Sequence, residues 1–162
     1  MTGPQRPAGR NGRLVCRKKS EWKLHLDAEW HQVWQAVTGP EPAWCTWLDH
    51  LEILEEGRRF LAVGRDGRTV ECTVQLVKPC SLYRLELKGQ HFTGSWQGAF
   101  APVESGGTKA VWTAELSVPN PLRAAALPLE RSLRQYGEDL RRYLASLPAP
   151  EGDFSREREE RF

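Results

Sequence analysis

The sequence predicts an α+β domain in which a curved, seven-stranded antiparallel sheet wraps on a long C-terminal helix, with two short helices after the first strand. Three observations predict it. Between residues 50 and 118 six runs read as strands, and the last four of them alternate their two faces with the period of half-buried strands. The turns between them are too short for the crossovers that parallel pairing requires. From residue 122 onward apolar residues recur at steps of three and four, the stripe of an amphipathic helix.

Each element can be justified in order. Trp22, Leu24 and Leu26 alternate with Glu21, Lys23 and His25 and open the domain as a strand. Asp27 stands where a helix N-cap is expected, its carboxylate able to accept from a free backbone N–H. Trp30, Val33, Trp34 and Val37 follow as one apolar helical stripe, which Gly39-Pro40 stops. A second short helix or turn carries Trp44, Trp47 and Leu48. Strands are then expected over 50–55, 59–64, 69–77, 82–88, 92–101 and 109–118. Asp66-Gly67 and Ser105-Gly106-Gly107 mark tight turns, and Lys78-Pro79-Cys80-Ser81 separates the third of these runs from the fourth.

Alternation sorts the two faces of the sheet. Val70, Cys72, Val74 and Leu76 oppose Thr69, Glu71, Thr73 and Gln75; Tyr83, Leu85 and Leu87 oppose Arg84, Glu86 and Lys88. Gly94, Trp96, Gly98 and Phe100 share one face, as do Ala110, Trp112, Ala114 and Leu116. One face is apolar and aromatic, and the other is wet. The cover for it comes from the end of the chain, where Leu122, Ala126, Leu129, Leu133, Tyr136, Leu140, Leu144 and Leu147 form a stripe. Pro128 removes a helical hydrogen bond, so a break is expected there, with the main helix starting beside it. Gly137 within that helix reads as a close helix–sheet contact, against the alternative of room left for a ligand.

Composition bounds the rest. A chain of 162 residues suits one domain, and its formal net charge of +2 gives no field that points to nucleic acid or a membrane surface. Cys16, Cys45, Cys72 and Cys80 are far apart, with neither C-x-x-C spacing nor a Cys-His cluster, so reduced thiols and a cytoplasmic location are expected. No apolar run approaches the roughly 20 residues of a membrane helix. Residues 1–13 carry Pro, Gly and Arg with almost nothing to bury and read as a disordered arm; their prolines and glycines spoil the amphipathic helix of a transit peptide. The basic cluster Arg17-Lys18-Lys19, with Arg6, Arg10 and Arg13 before it, reads as part of the same solvated arm. It lacks the interleaved aromatics of a nucleic-acid platform. The domain is expected over 14–147, and 148–162 as a charged flexible tail.

The order of strand, two short helices, six strands and long helix resembles the START-like superfamily, also called SRPBCC, and within it the polyketide cyclase/dehydrase-like group. The stretch LHLDAEWHQVWQAVTGPEPAWCTWLDHLEILEEG (24–57) is similar to the family's opening, and GGTKAVWTAELSV (106–118) to its last strand behind a Gly-Gly-Thr turn. The resemblance covers about residues 20–147. It implies a helix-grip fold with a cavity between the long helix and the sheet. It also implies lipids, sterols, polyketides or plant metabolites as cargo, cyclisation or hydroxylation in some members, and chaperone regulation or RNA metabolism in others. Fold analogy cannot choose among these.

The chemistry-bearing residues narrow the choice. His25, His31 and His50 fall on wet or flanking positions, which leaves His91, at the start of a strand beside Gly89-Gln90, as the candidate acid or base at a cavity mouth. No zinc spacing, phosphate-binding glycine loop or nucleophile elbow is present, and neither metal nor cofactor is expected. The aromatic set carries the signal. Cys72, Val74, Tyr83, Leu85, Trp96, Phe100 and Trp112 fall on the predicted inner face, opposite Leu133 and Tyr136. They are expected to line a ligand cavity, with Tyr83, Tyr136 and Cys72 as its polar groups; a solid aromatic core is the competing reading. Trp30, Trp34, Trp44 and Trp47 are expected to pack between the short helices and the sheet, or, where exposed, to form a cavity lid or the patch of a homodimer. The expected partner is a small hydrophobic or aromatic molecule. The alternatives are a polyketide cyclase/dehydrase-like enzyme using His91 or a cavity tyrosine, and a protein-interaction regulator with a filled core.

Overall fold

The computed structural model of the chain describes residues 15–40 and 42–148. The expected arm at 1–13 and the tail beyond Pro148 lie outside the described residues. Seven strands form one antiparallel sheet: β1 (Cys16–Leu26), β2 (Leu48–Glu55), β3 (Arg59–Gly64), β4 (Thr69–Lys78), β5 (Leu82–Gly89), β6 (Thr93–Pro102) and β7 (Thr108–Val118). Their order across the sheet is β1-β7-β6-β5-β4-β3-β2. Five of the six connections are hairpins. Only the passage from β1 to β2 crosses the sheet, and it carries helix α1 (Trp30–Thr38). Helix α2 (Pro121–Ala126) and the long helix α3 (Leu129–Ser146) complete an α+β fold in which the long helix lies across a curved sheet.

The period-2 pattern fixes the register. Paired residues share a face, so one inner row runs Trp22–Trp112–Gly98–Tyr83–Val77 and another Lys18–Leu116–Gly94–Leu87–Cys72–Phe60–Ile53. Bare glycines in these rows make room for their neighbours. A methyl group on Gly98 would stand 2.8 Å from the Phe100 ring and 3.1 Å from the Trp112 ring, and one on Gly94 would meet the Glu115 carbonyl and Leu116. Gly137 is likewise a point of close helix–sheet contact: a methyl there would lie 3.0 Å from Trp112 Nε1 and 3.2 Å from Leu24. The expected turn at Asp66-Gly67 forms, with Gly67 at φ 87° and the Asp66 carboxylate accepting from the Arg68 N–H at 3.0 Å.

Several expectations need correction. The first strand begins at Cys16, so Arg17, Lys18 and Lys19 belong to an edge strand and not to a solvated arm. Lys18 points inward and its ammonium donates to the Ala124 and Leu127 carbonyls, both at 2.7 Å, which closes the end of α2. Asp27 does not cap α1. Glu29 does, its backbone N–H donating to Gln32 at 3.3 Å, because the chain needs two more residues to turn away from the sheet. Between α1 and β2 there are turns in place of a second helix, with Cys45 N–H donating to Pro42 O and Leu48 N–H to Cys45 O. A bulge at Gln75 shifts the phase of β4, so that Val77 pairs with Tyr83, and Leu76 pairs with Arg84 on the wet face. The C-terminal stripe breaks at Leu127-Pro128 as expected, and α2 therefore has its own phase. It buries Ala124 and leaves Leu122 81% exposed.

Candidate functional site

The helical layer covers the sheet unevenly. Helix α3 packs chiefly along β1 and β7, and α1 lies against β6. Beneath α3, Leu24, Leu26, Phe100, Ala110, Trp112, Leu133 and Leu140 are buried in one cluster. A second cluster, Leu48, Ala62, Cys72, Tyr83 and Leu85, sits on the β2–β5 half, with Phe60, Val70, Val74 and Leu87 only partly covered. Trp34 and Trp96 pack against both clusters.

The nine expected cavity residues therefore divide. Phe100, Trp112 and Leu133 belong to the first cluster, with Tyr136 packed on it; Cys72, Tyr83 and Leu85 belong to the second, with Val74 packed on it and Trp96 at the seam. Rings join the halves. Trp112 stacks on Trp96 with centroids 6.0 Å apart and meets Phe100 at 5.3 Å and Tyr136 at 5.2 Å, edge to face. Trp34 closes on Tyr83 and Phe100, and Trp44 on Tyr136 at 5.1 Å. Thus Trp34 and Trp44 pack between the helices and the sheet as expected, whereas Trp47 stays 39% exposed with its ring laid on Gly64.

Cover over the β2–β5 half comes from Trp34 and Val37 of α1 and from Cys45 in the 42–47 loop, and one side chain ties that loop down. Asp139 of α3, only 2% exposed, accepts from the Thr46 N–H at 2.9 Å, the Thr46 hydroxyl at 2.7 Å, Gln135 at 2.8 Å and Arg142 at 3.3 Å. Burial pushes the Asp139 carboxyl up, but these donors outweigh it and hold the group below its ordinary value. Sequence reasoning missed Asp139, because its partner is 93 positions away and nothing local marks it.

The polar groups of this interior are protonated ones. Burial pushes the Cys72 thiol up to about 12, with the Glu71 charge adding to it. Burial also raises Tyr83, with Cys72 contributing, and raises Tyr136, with Cys45 and Tyr83 contributing. Burial raises Cys45 against the Trp47 and Leu48 N–H groups, which pull it down. Near neutral pH these thiols and phenols donate hydrogen bonds and do not accept protons.

All four histidines are exposed. His91 occupies the bend between β5 and β6, apart from the aromatic interior. His25 contacts the Gly106 carbonyl at 3.0 Å, His31 lies 3.4 Å from Glu29, and His50 sits between Asp49 at 2.7 Å and Glu52 at 3.1 Å, both of which raise its pKa.

No family model and no curated protein matches the sequence. Solved structures do. An uncharacterised protein from Rhizobium leguminosarum is 22% identical, with a TM-score of 0.64 over 83% of this chain and 99% of its own. A conserved protein from Geobacillus kaustophilus is 14% identical, with a TM-score of 0.67 over 79% of this chain and 95% of its own. DynU16, a protein of the dynemicin biosynthetic locus, is 20% identical, with a TM-score of 0.63 over 79% of this chain and 47% of its own. The likeness shows the fold. Among the described residues no helix is long and apolar enough to cross a membrane.

Proposed function

We propose that the chain is a START-like binding protein that takes a small hydrophobic or aromatic molecule into the β2–β5 half of its interior. The observation that carries this reading is the exposure of two inward-facing residues. Ile53 and Val77 share the inner face with Phe60 and Tyr83, yet are 54% and 48% exposed. The helical layer stops short of them, so the inner face opens to solvent at this end and closes around Trp112 at the other, where exposure falls to 0%. An apolar wall of Phe60, Val70, Val74 and Leu85 with Tyr83, Tyr136 and Cys72 as the few polar groups has the make-up of a small-molecule site. In this reading the rings beneath α3 form the floor of the pocket, and α1 with the 42–47 loop its cover.

Binding is favoured over catalysis by the protonated tyrosines and thiols and by the exposed position of His91, since a general base must shed its proton near the working pH. The likeness to DynU16 keeps a biosynthetic cyclase-like role as the second reading, with Tyr83 or Tyr136 as a hydrogen-bond donor to a substrate oxygen. Native mass spectrometry of the purified protein tests the first reading: a co-purified small molecule of discrete mass, released on unfolding, is expected. Conversion of an aromatic polyketide by the protein, lost in Tyr136→Phe, would instead establish the second.

A further inference from the structure

A cleft of about 360 Å³ lies outside the apolar interior, where β1 passes the joint between α2 and α3. Lys18, Lys19, Ser20, Glu130, Arg131 and Arg134 line it together with residues 127–129. Lys18, Arg131 and Arg134 bring cationic side chains and Glu130 a carboxylate; Lys19, paired with Glu115 on the outer face of the sheet, borders the cleft only through the strand. Among the described residues none of these three cations forms an ion pair, whereas Arg58, Arg59, Arg68, Arg141 and Arg142 are each matched by a carboxylate. The whole chain carries a formal charge of only +2, so this positive field is local.

Two of the cations are held in place. Lys18 is anchored by the Ala124 and Leu127 carbonyls, each at 2.7 Å, which occupy two of its three N–H donors. Arg134 lies over the Trp22 ring with its guanidinium carbon 5.3 Å from the centroid, a cation–π contact. Arg131 and Arg134 stand at i, i+3 on one face of α3.

We propose that this cleft binds a phosphate-class oxyanion, carried by a soluble molecule or by a lipid headgroup. Three cations exceed what a single carboxylate can balance, and guanidinium forks match the geometry of phosphate oxygens. The first turn of α3 borders the same space and adds partial positive charge. The site is separate from the apolar pocket and stands whether or not that pocket binds a ligand.

The test uses the full chain and inorganic pyrophosphate as the probe, with ionic strength held constant. Saturable binding is expected by calorimetry, accompanied by a rise in melting temperature. Lys18 and Arg134 also support the fold, so the informative variant is Arg131→Gln, which alters an exposed side chain. It should weaken pyrophosphate about tenfold while melting as the parent does. Co-sedimentation with phosphatidylcholine vesicles, with and without phosphatidic acid, separates the sources. Binding to the acidic vesicles as well as to pyrophosphate assigns a headgroup, and binding to pyrophosphate alone assigns a soluble ligand. No saturable pyrophosphate binding, equal binding by the Arg131→Gln variant, or vesicle binding without pyrophosphate binding would overturn the proposal.

Discussion

Asp139 holds Thr46 twice, its Oδ2 accepting from the backbone N–H at 2.9 Å and from the hydroxyl at 2.7 Å. Through this clasp the C-terminal helix fastens the loop that helps cover the open half of the sheet. Asp139→Ala removes the shared acceptor of all these donors at once and should lower stability by about 2–3 kcal/mol. Thr46→Val keeps the N–H bond and should cost about 1 kcal/mol. Urea unfolding reads both; equally small effects would mean that solvent replaces the clasp.

The same carboxylate sets an acid limit. Its folded-state pKa lies below the ordinary 3.8, so its contribution is complete above the unfolded value and is lost as pH falls through the folded one. Stability should decline from about pH 4 downward, and Asp139→Asn should flatten that decline. An unchanged acid limb in the variant would contradict this assignment.

Gly137 should resist substitution although it sits inside a helix. Alanine there gains about 1 kcal/mol of helix propensity. The added methyl, however, would press on Trp112 at 3.0 Å, Leu24 at 3.2 Å and Trp22 at 3.3 Å, and Trp112 is completely buried. Gly137→Ala should therefore be net destabilising, and Gly137→Val more so, by about 1–3 kcal/mol. A stabilised Gly137→Ala protein would show that helix and sheet can part at no cost.

Cys72 should be inert in the folded state, being 5% exposed with its thiol pushed up to about 12. Maleimide at neutral pH should reach it only after unfolding. Tyr83 and Tyr136 have folded pKa values raised above 10.0, so the stability they confer is complete below that pH and lost as pH climbs through the raised values. Alkaline unfolding should accordingly shift to higher pH in a Tyr83→Phe, Tyr136→Phe protein.

Much of the fold was legible because it rests on local period. Strands β4 to β7 show the alternation in sequence, and the stripe from Leu129 to Leu144 runs through a helix of 18 residues. The break at Pro128 follows from the missing N–H of proline alone. What escaped depends on contacts distant in sequence. Lys18 looks like part of a basic arm until its carbonyl partners, 106 and 109 positions away, are in view. The bulge at Gln75 leaves no mark in composition, yet it decides that Val77 faces inward. The aromatic set on the inner face was readable residue by residue. How it divides between the buried rings under α3 and the open β2–β5 half was not, because coverage depends on where the helices lie.

The central claim is that this open half admits a small apolar molecule, and Val74, inward-facing and partly covered between Cys72 and Leu85, is the residue to fill. Fluorescence titration with a naphthalene-type dye, on the parent protein and on Val74→Trp, tests it most directly. The parent should bind one equivalent saturably and gain about 2.7 kcal/mol of stability at a hundredfold excess over the dissociation constant. Val74→Trp should remain folded and lose that binding. A folded parent that binds no dye, or a Val74→Trp protein that binds it equally well, would contradict the account.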